Sequence, residues 1–204
     1  MIRKLFFTFL ILLSFLFGFD KAGHIEDCKN DNVSACYALA VHLTTGKNIE
    51  NQEKMKEGTG YMRKACVYGE PKACDTLGEN YFKDKSYGAA RPYLEASCER
   101  GIKVACESVG IIYRDGHDIR QNDVKAREYF EKACELESGD ACYNVAIMYR
   151  GGFGVEKSRV NEKAFYNKSC TKGLKAGCDR FTELDNEDKG IETGIFATIK
   201  AWFK

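Results

Sequence analysis

Apolar and polar residues along this chain repeat with two nested periods. On the short scale, the second cysteine of each of four Cys-x7-Cys pairs is followed three and four positions later by an aliphatic and a small residue: Leu39-Ala40, Leu77-Gly78, Val109-Gly110 and Val145-Ala146. Seven positions after the same cysteines stand Leu43, Tyr81, Tyr113 and Tyr149. Offsets of three, four and seven trace one face of a helix, here called helix A, and the small residue admits a close neighbour. A second pattern runs into the first cysteine of each following pair. An aromatic residue lies five positions before it (Tyr61, Tyr93, Tyr129, Phe165) and a large apolar one four before (Met62, Leu94, Phe130, Tyr166). The position just before is small: Ala65, Ser97, Ala133, Ser169. This predicts helix B.

The long period comes from the cysteines. Cys28/Cys36, Cys66/Cys74, Cys98/Cys106, Cys134/Cys142 and Cys170/Cys178 share one spacing, and the pairs recur at steps of 38, 32, 36 and 36 residues. A fixed period in this range marks a helical array in which one helix pair is copied along an axis. The expected fold is all-α, a right-handed α/α solenoid. Gly69, Gly101 and Gly173 lie three residues after their cysteines, where a left-handed residue ends helix B. Each pair is therefore expected to form a disulfide stapling one helix end to the next helix start, worth about 2–3 kcal/mol in the chain-entropy model. Zinc is the competing use of many cysteines, but structural zinc wants C-x2–4-C spacing, and His24, His42 and His117 are scattered. No metal or cofactor is expected.

Irregularities sit at the ends and in unit two. Arg3 and Lys4 precede an apolar stretch, Leu5 to Phe19, too short for a membrane span and suited to a signal peptide over residues 1–19. Left uncleaved, it would be the chain's one tie to a membrane. Residues 20–204 then form a single solenoid that starts with half a unit, because residues 20–27 are too short and polar for a full helix B. Ile191, Ile195, Ile199 and Trp202 recur at helical spacing and predict a C-terminal capping helix. Unit two lacks about four residues between its helices and carries Pro92, which predicts a late start or a kink in its helix B.

Composition narrows the partners. With 31 basic and 30 acidic residues, no nucleic-acid partner is implied. An even cysteine count behind an export signal places the mature chain in an oxidising space, periplasmic or secreted.

The A-C-x2-[LV]-[GA]-x2-Y core, the helix B positions and the 36-residue period resemble SEL-like repeats, relatives of tetratricopeptide repeats. One C-x7-C staple per unit behind a signal peptide is similar to the Helicobacter cysteine-rich proteins. That resemblance implies a secreted or periplasmic protein with penicillin-binding or β-lactamase activity. The residues themselves do not supply the chemistry. The one S-x-x-K, Ser169 to Lys172, lacks S-D-N and K-T-G companions, and Ser169 occupies a small packing position. Three isolated histidines do not make a metallo-β-lactamase site. A binding surface is the stronger reading. In solenoids of this kind helix A lines the concave face, and the candidates there are Tyr37, Asp75, Glu79, Phe82, Glu107, Arg114, Tyr143, Asn144 and Arg150. Aromatic rings among mixed charges suit a peptide, a peptidoglycan fragment, a partner protein or a β-lactam, with arginine pairing a carboxylate.

Overall fold

The computed structural model describes residues 19–45 and 50–190. The signal peptide expected over residues 1–19 (apart from Phe19) and the cap expected at Ile191, Ile195, Ile199 and Trp202 lie outside the described residues. Ten helices occur among the described residues: α1 Lys21–Lys29, α2 Val33–Thr44, α3 Gln52–Val67, α4 Pro71–Lys83, α5 Tyr87–Glu99, α6 Lys103–Asp115, α7 Asp123–Glu135, α8 Gly139–Gly151, α9 Arg159–Thr171 and α10 Lys175–Asp188. The architecture is an all-α solenoid of repeated helix pairs, with helices A even-numbered and helices B odd-numbered. The chain divides into two compact units, Met1–Leu77 and Gly78–Lys204. In the first, α1 packs on α2 and α2 on α3; in the second, α5 through α10 each pack on the next. The expected half-unit at the start is a real but short helix B, nine residues long. Asp20 starts it by accepting from the Gly23 N–H at 3.0 Å.

Five disulfides join the paired cysteines, with Cα–Cα distances of 4.4–4.8 Å. The turn they span is the same five times. The third residue after the first cysteine is left-handed: Asp31, Gly69, Gly101, Glu137 and Gly173 all have positive φ. The next residue's N–H then reaches back to close the helix end, as Ile102 does to Ser97 at 3.1 Å and Ser138 to Ala133 at 3.0 Å. Sequence patterning showed this at the three glycines and hid it at Asp31 and Glu137, where the staple and the closing bond impose the conformation on side chains that disfavour it.

The small positions of the pattern are packing contacts. Ala65, Ser97, Ala133 and Ser169 are all fully buried. A Cβ at Gly110 would stand 2.6 Å from the ring of Phe130, so α6 and α7 approach only because that position has no side chain. The tyrosines of helix A stack on the aromatics of helix B within each unit: Tyr81 on Tyr93, Tyr113 on Tyr129 and Tyr149 on Phe165, at 5.9, 5.8 and 5.5 Å.

Unit two corrects an expectation. Helix α5 starts eleven residues before its cysteine, as α7 and α9 do, so its start is not late. The missing residues come out of the loop instead, residues 84–86 against 116–122 and 152–158. Both loop lengths close with one bond: the N–H of Ser86, Asn122 or Ser158 donates to the carbonyl of Tyr81, Tyr113 or Tyr149 at 2.8, 2.8 and 3.1 Å. Helix α5 continues through Pro92, its sixth residue and exposed, where water can take the carbonyl the proline leaves unpaired.

Candidate functional site

A cleft lies where α6, α7 and α8 meet. Its volume is about 290 Å3, and its walls are Phe130, Ile147, Met148 and Phe153, with Arg114, Asn144, Gln121 and Asp123 around them. Phe130 and Met148 are core side chains whose edges form the floor. Phe153 is half exposed and closes one side. It can fold over the end of α8 because Gly151 has no side chain; a Cβ there would meet the ring at 2.1 Å. The left-handed Gly152 supplies the turn that aims it.

Arg114 and Asn144, on successive helices A, meet across this cleft, with Arg114 Nη1 3.5 Å from the Asn144 Oδ1. Asn144 is oriented by donating its amide to the Asp140 carbonyl at 3.0 Å. The other edge of the guanidinium grips Asp115, Nε to Oδ1 at 2.7 Å and Nη2 to Oδ2 at 3.1 Å. That bond holds the aspartate below the usual carboxylate range and the arginine above its own. The arginine is thus charged and held in place, 5.9 Å from the Phe130 ring, with Nη1 facing the cleft. An apolar pocket beside a fixed guanidinium can seat one hydrophobic side chain and pair a neighbouring anion or carbonyl.

The other sequence candidates are placed as follows. Tyr37 and Asp75 belong to the first unit and are half-buried. In the second unit, Glu79 is exposed and pairs with Lys83 at 3.4 Å. Phe82 is occupied in an edge contact with Tyr87 at 5.3 Å. Glu107 is half-buried. Tyr143 packs against Tyr166 at 5.1 Å, and Arg150 is exposed at the end of α8. Arg114 and Asn144 are therefore the pair brought together. Sequence reading missed Phe130 and Met148 because they sit at packing positions, and Phe153 because a Gly-Gly-Phe-Gly run reads as turn.

The S-x-x-K residues are structural. Ser169 is fully buried and donates its hydroxyl to the Gly139 carbonyl at 2.8 Å, while the Lys172 ammonium pairs with Glu137 at 2.5 Å. Each histidine lies against an aromatic ring: His24 and His42 by Phe19, and His117 on Tyr87. No helix of the described residues is long and apolar enough to cross a membrane.

The Sel1 repeat model matches residues 33–66, 103–138 and 139–167, three of the units bounded by the staples. The fold is that of Sel1-like repeats. The array superposes on c5321, a protective antigen of uropathogenic Escherichia coli with an SLR fold, at TM-score 0.60 and 21% identity over 80% of this chain and 36% of that one. The chain thus spans about a third of c5321. A Sel1 repeat protein from Oxalobacter formigenes matches at TM-score 0.59 and 16% identity, over 83% of this chain and 70% of that one. Helicobacter pylori cysteine rich protein B shares 26% identity over 67% of this chain and 98% of its own, at a TM-score of 0.48 too low to build on. No curated relative matches the chain significantly. The two superpositions above that level establish the Sel1-like fold and leave function to the cleft.

Proposed function

We propose that this chain is an exported polypeptide-binding repeat protein that holds an extended segment of a peptide or partner protein along its helices A. The observation that carries the reading is the Arg114–Asn144 cleft: an apolar seat beside a fixed guanidinium, on the helices that face a ligand in repeats of this kind. Export is supported by the cysteines, all ten of which are oxidised, a state that persists outside reducing compartments. Penicillin binding or β-lactam hydrolysis finds no support in the one sequence motif that pointed to it, because Ser169 is buried and engaged.

The test is selection of a phage-displayed random dodecapeptide library on the full, oxidised chain. Enriched peptides should share an apolar anchor, and synthetic versions should lose roughly tenfold or more in affinity on Arg114→Gln and on Phe153→Ser. No enrichment, or affinities indifferent to both substitutions, would refute the reading.

A further inference from the structure

The Arg114 cleft does not end at its rim. Gln121 and Asp123, which bound it on the side of the α6–α7 loop, also line a second cleft of about 440 Å3. Tyr113, Arg120, Asn122, Val124 and Gly154 complete that second cleft, so it is polar where the first is apolar. The dividing loop is fixed at several points. The Asn122 N–H donates to the Tyr113 carbonyl at 2.8 Å, and Asp118 accepts from the Gly88 N–H at 3.2 Å. From the next loop, Gly154 packs so close that a Cβ there would stand 2.4 Å from the backbone of Asp123. A ligand crossing this wall meets a surface already in place, which lowers the ordering cost of binding.

The wall and the second cleft carry complementary groups for a passing chain. Gln121 Nε2 donates to Asp123 Oδ1 at 3.0 Å, which leaves Gln121 Oε1 and Asp123 Oδ2 as acceptors for backbone N–H groups. Arg120 is exposed and makes no hydrogen bond or ion pair among the described residues. Lys125, in the first turn of α7, bonds the Tyr113 hydroxyl at 3.5 Å and meets no carboxylate among them. The second cleft and its margin thus hold two cations against the one carboxylate of Asp123. The repeat itself does not demand this arrangement. Thirty-six positions on, in a loop of the same length, Glu156 and Arg159 stand in the places of Arg120 and Asp123 with the charges reversed.

We propose that the second cleft is an acid-selecting subsite of the peptide site. The segment that seats an apolar side chain against Phe130, Met148 and Phe153 crosses Gln121 and Asp123 and sets an aspartate or glutamate side chain against Arg120. The subsite rests on the peptide-binding reading above and adds a sequence preference to it: an apolar anchor with an acid at a short, fixed offset.

The dodecapeptide selection on the full, oxidised chain separates the failure of one reading from the failure of the other. Wild-type chain should enrich peptides carrying an acid at one offset from the apolar anchor. Synthetic copies amidated at the C-terminus, where no terminal carboxylate remains, should lose about threefold to fivefold in affinity when that acid is replaced by its amide, as an exposed ion pair requires. Arg120→Gln should keep the anchor and lose the acid preference, and Arg120→Glu should exchange the acid for Lys or Arg at the same offset. Lys175→Gln, the same change of net charge placed on α10, should leave the preference as it was. Arg120 is exposed and bonds nothing among the described residues, so its variants should fold. Peptides enriched without an acid, an acid preference that survives Arg120→Gln, or one lost equally in Lys175→Gln overturn the subsite and leave the apolar cleft standing. If nothing is enriched, the peptide-binding reading falls and the subsite falls with it.

Discussion

Ser169 ties the last turn of α9 to the first residue of α8, donating its hydroxyl to the Gly139 carbonyl at 2.8 Å across thirty residues. The equivalent positions in other repeats are Ala65, Ser97 and Ala133, all buried, so the site needs a small residue and here adds a hydrogen bond. Gly177 packs so close that a Cβ there would meet the serine oxygen at 2.4 Å. Ser169→Ala should fold and lose about 1–2 kcal/mol, because the carbonyl keeps its desolvation and loses its donor. Any nitrocefin turnover by the chain should be independent of this residue. Chemical denaturation of both forms beside a nitrocefin assay checks it, and turnover abolished by the substitution would return Ser169 to a catalytic role.

The five staples are not equally shielded. Cys28–Cys36, Cys98–Cys106 and Cys134–Cys142 are buried at both sulfurs, whereas Cys66 and both Cys170 and Cys178 are partly exposed. Thiol exchange needs access to a sulfur, so Cys170–Cys178 and Cys66–Cys74 should reduce first under limiting reductant. Each staple closes a short loop worth about 2–3 kcal/mol, and neighbouring repeats support one another, so stability should fall stepwise. Alkylation at intervals followed by peptide mass spectrometry reads the order. Early labelling at Cys106 or Cys142 would contradict it.

The packing of Phe130 on Gly110 sets how closely α6 and α7 approach, and it also fixes the floor of the cleft. Gly110→Ala should therefore cost about 1–3 kcal/mol through overpacking, although alanine is the better helix former. Adding Phe130→Leu should recover part of that stability while enlarging the cleft. A melting temperature unchanged by Gly110→Ala would mean the helices can part freely and the floor is not fixed.

The fold was written in the chain because its signals are local and repeated: the cysteine spacing, the Leu39/Val109/Val145 stripe and the small position before each cysteine recur at matching offsets. Phe130 was visible as a packing residue, but that its edge is also a binding floor depends on the neighbouring Met148 and on the loop that carries Phe153. Those three meet only in three dimensions. The start of α5 was misjudged for a related reason. Four missing residues look like a shortened helix in one dimension, whereas the Ser86-to-Tyr81 bond closes a short loop as well as a long one. Asn122 and Ser158, which cap α7 and α9 by accepting from Lys125 and Asn161 at 3.0 and 3.3 Å, were readable residue types that the cysteine frame overshadowed.

The last described helix packs Leu184 and Phe181 in an apolar cluster with Ala146 and Tyr166 and adds a set of exposed ion pairs, and these pairs make it an acid-sensitive end. Leu184 and Gly177 are its buried residues, while Lys163 of α9 bonds Asp185 and Asp188 at 3.0 and 2.7 Å and Arg159 bonds Asp188 at 3.0 Å. Lys189 and Lys163 hold Asp185 below the usual carboxylate range, and Lys163 and Arg159 do the same for Asp188. A carboxylate depressed on folding contributes stability at pH values above its unfolded pKa of about 4 and loses it as the pH falls through the folded value. Protection of α10 amides should therefore drop from about pH 4 downward, ahead of α6, and should weaken with salt at neutral pH because the pairs are exposed. In Lys163→Gln the acid sensitivity of α10 should flatten, since both aspartates lose a shared partner. Protection factors for α6 and α10 measured from pH 7 to pH 3 test this directly, and equal losses in the two helices, or an unchanged profile in Lys163→Gln, would show that the apolar contacts of Leu184 hold α10 instead.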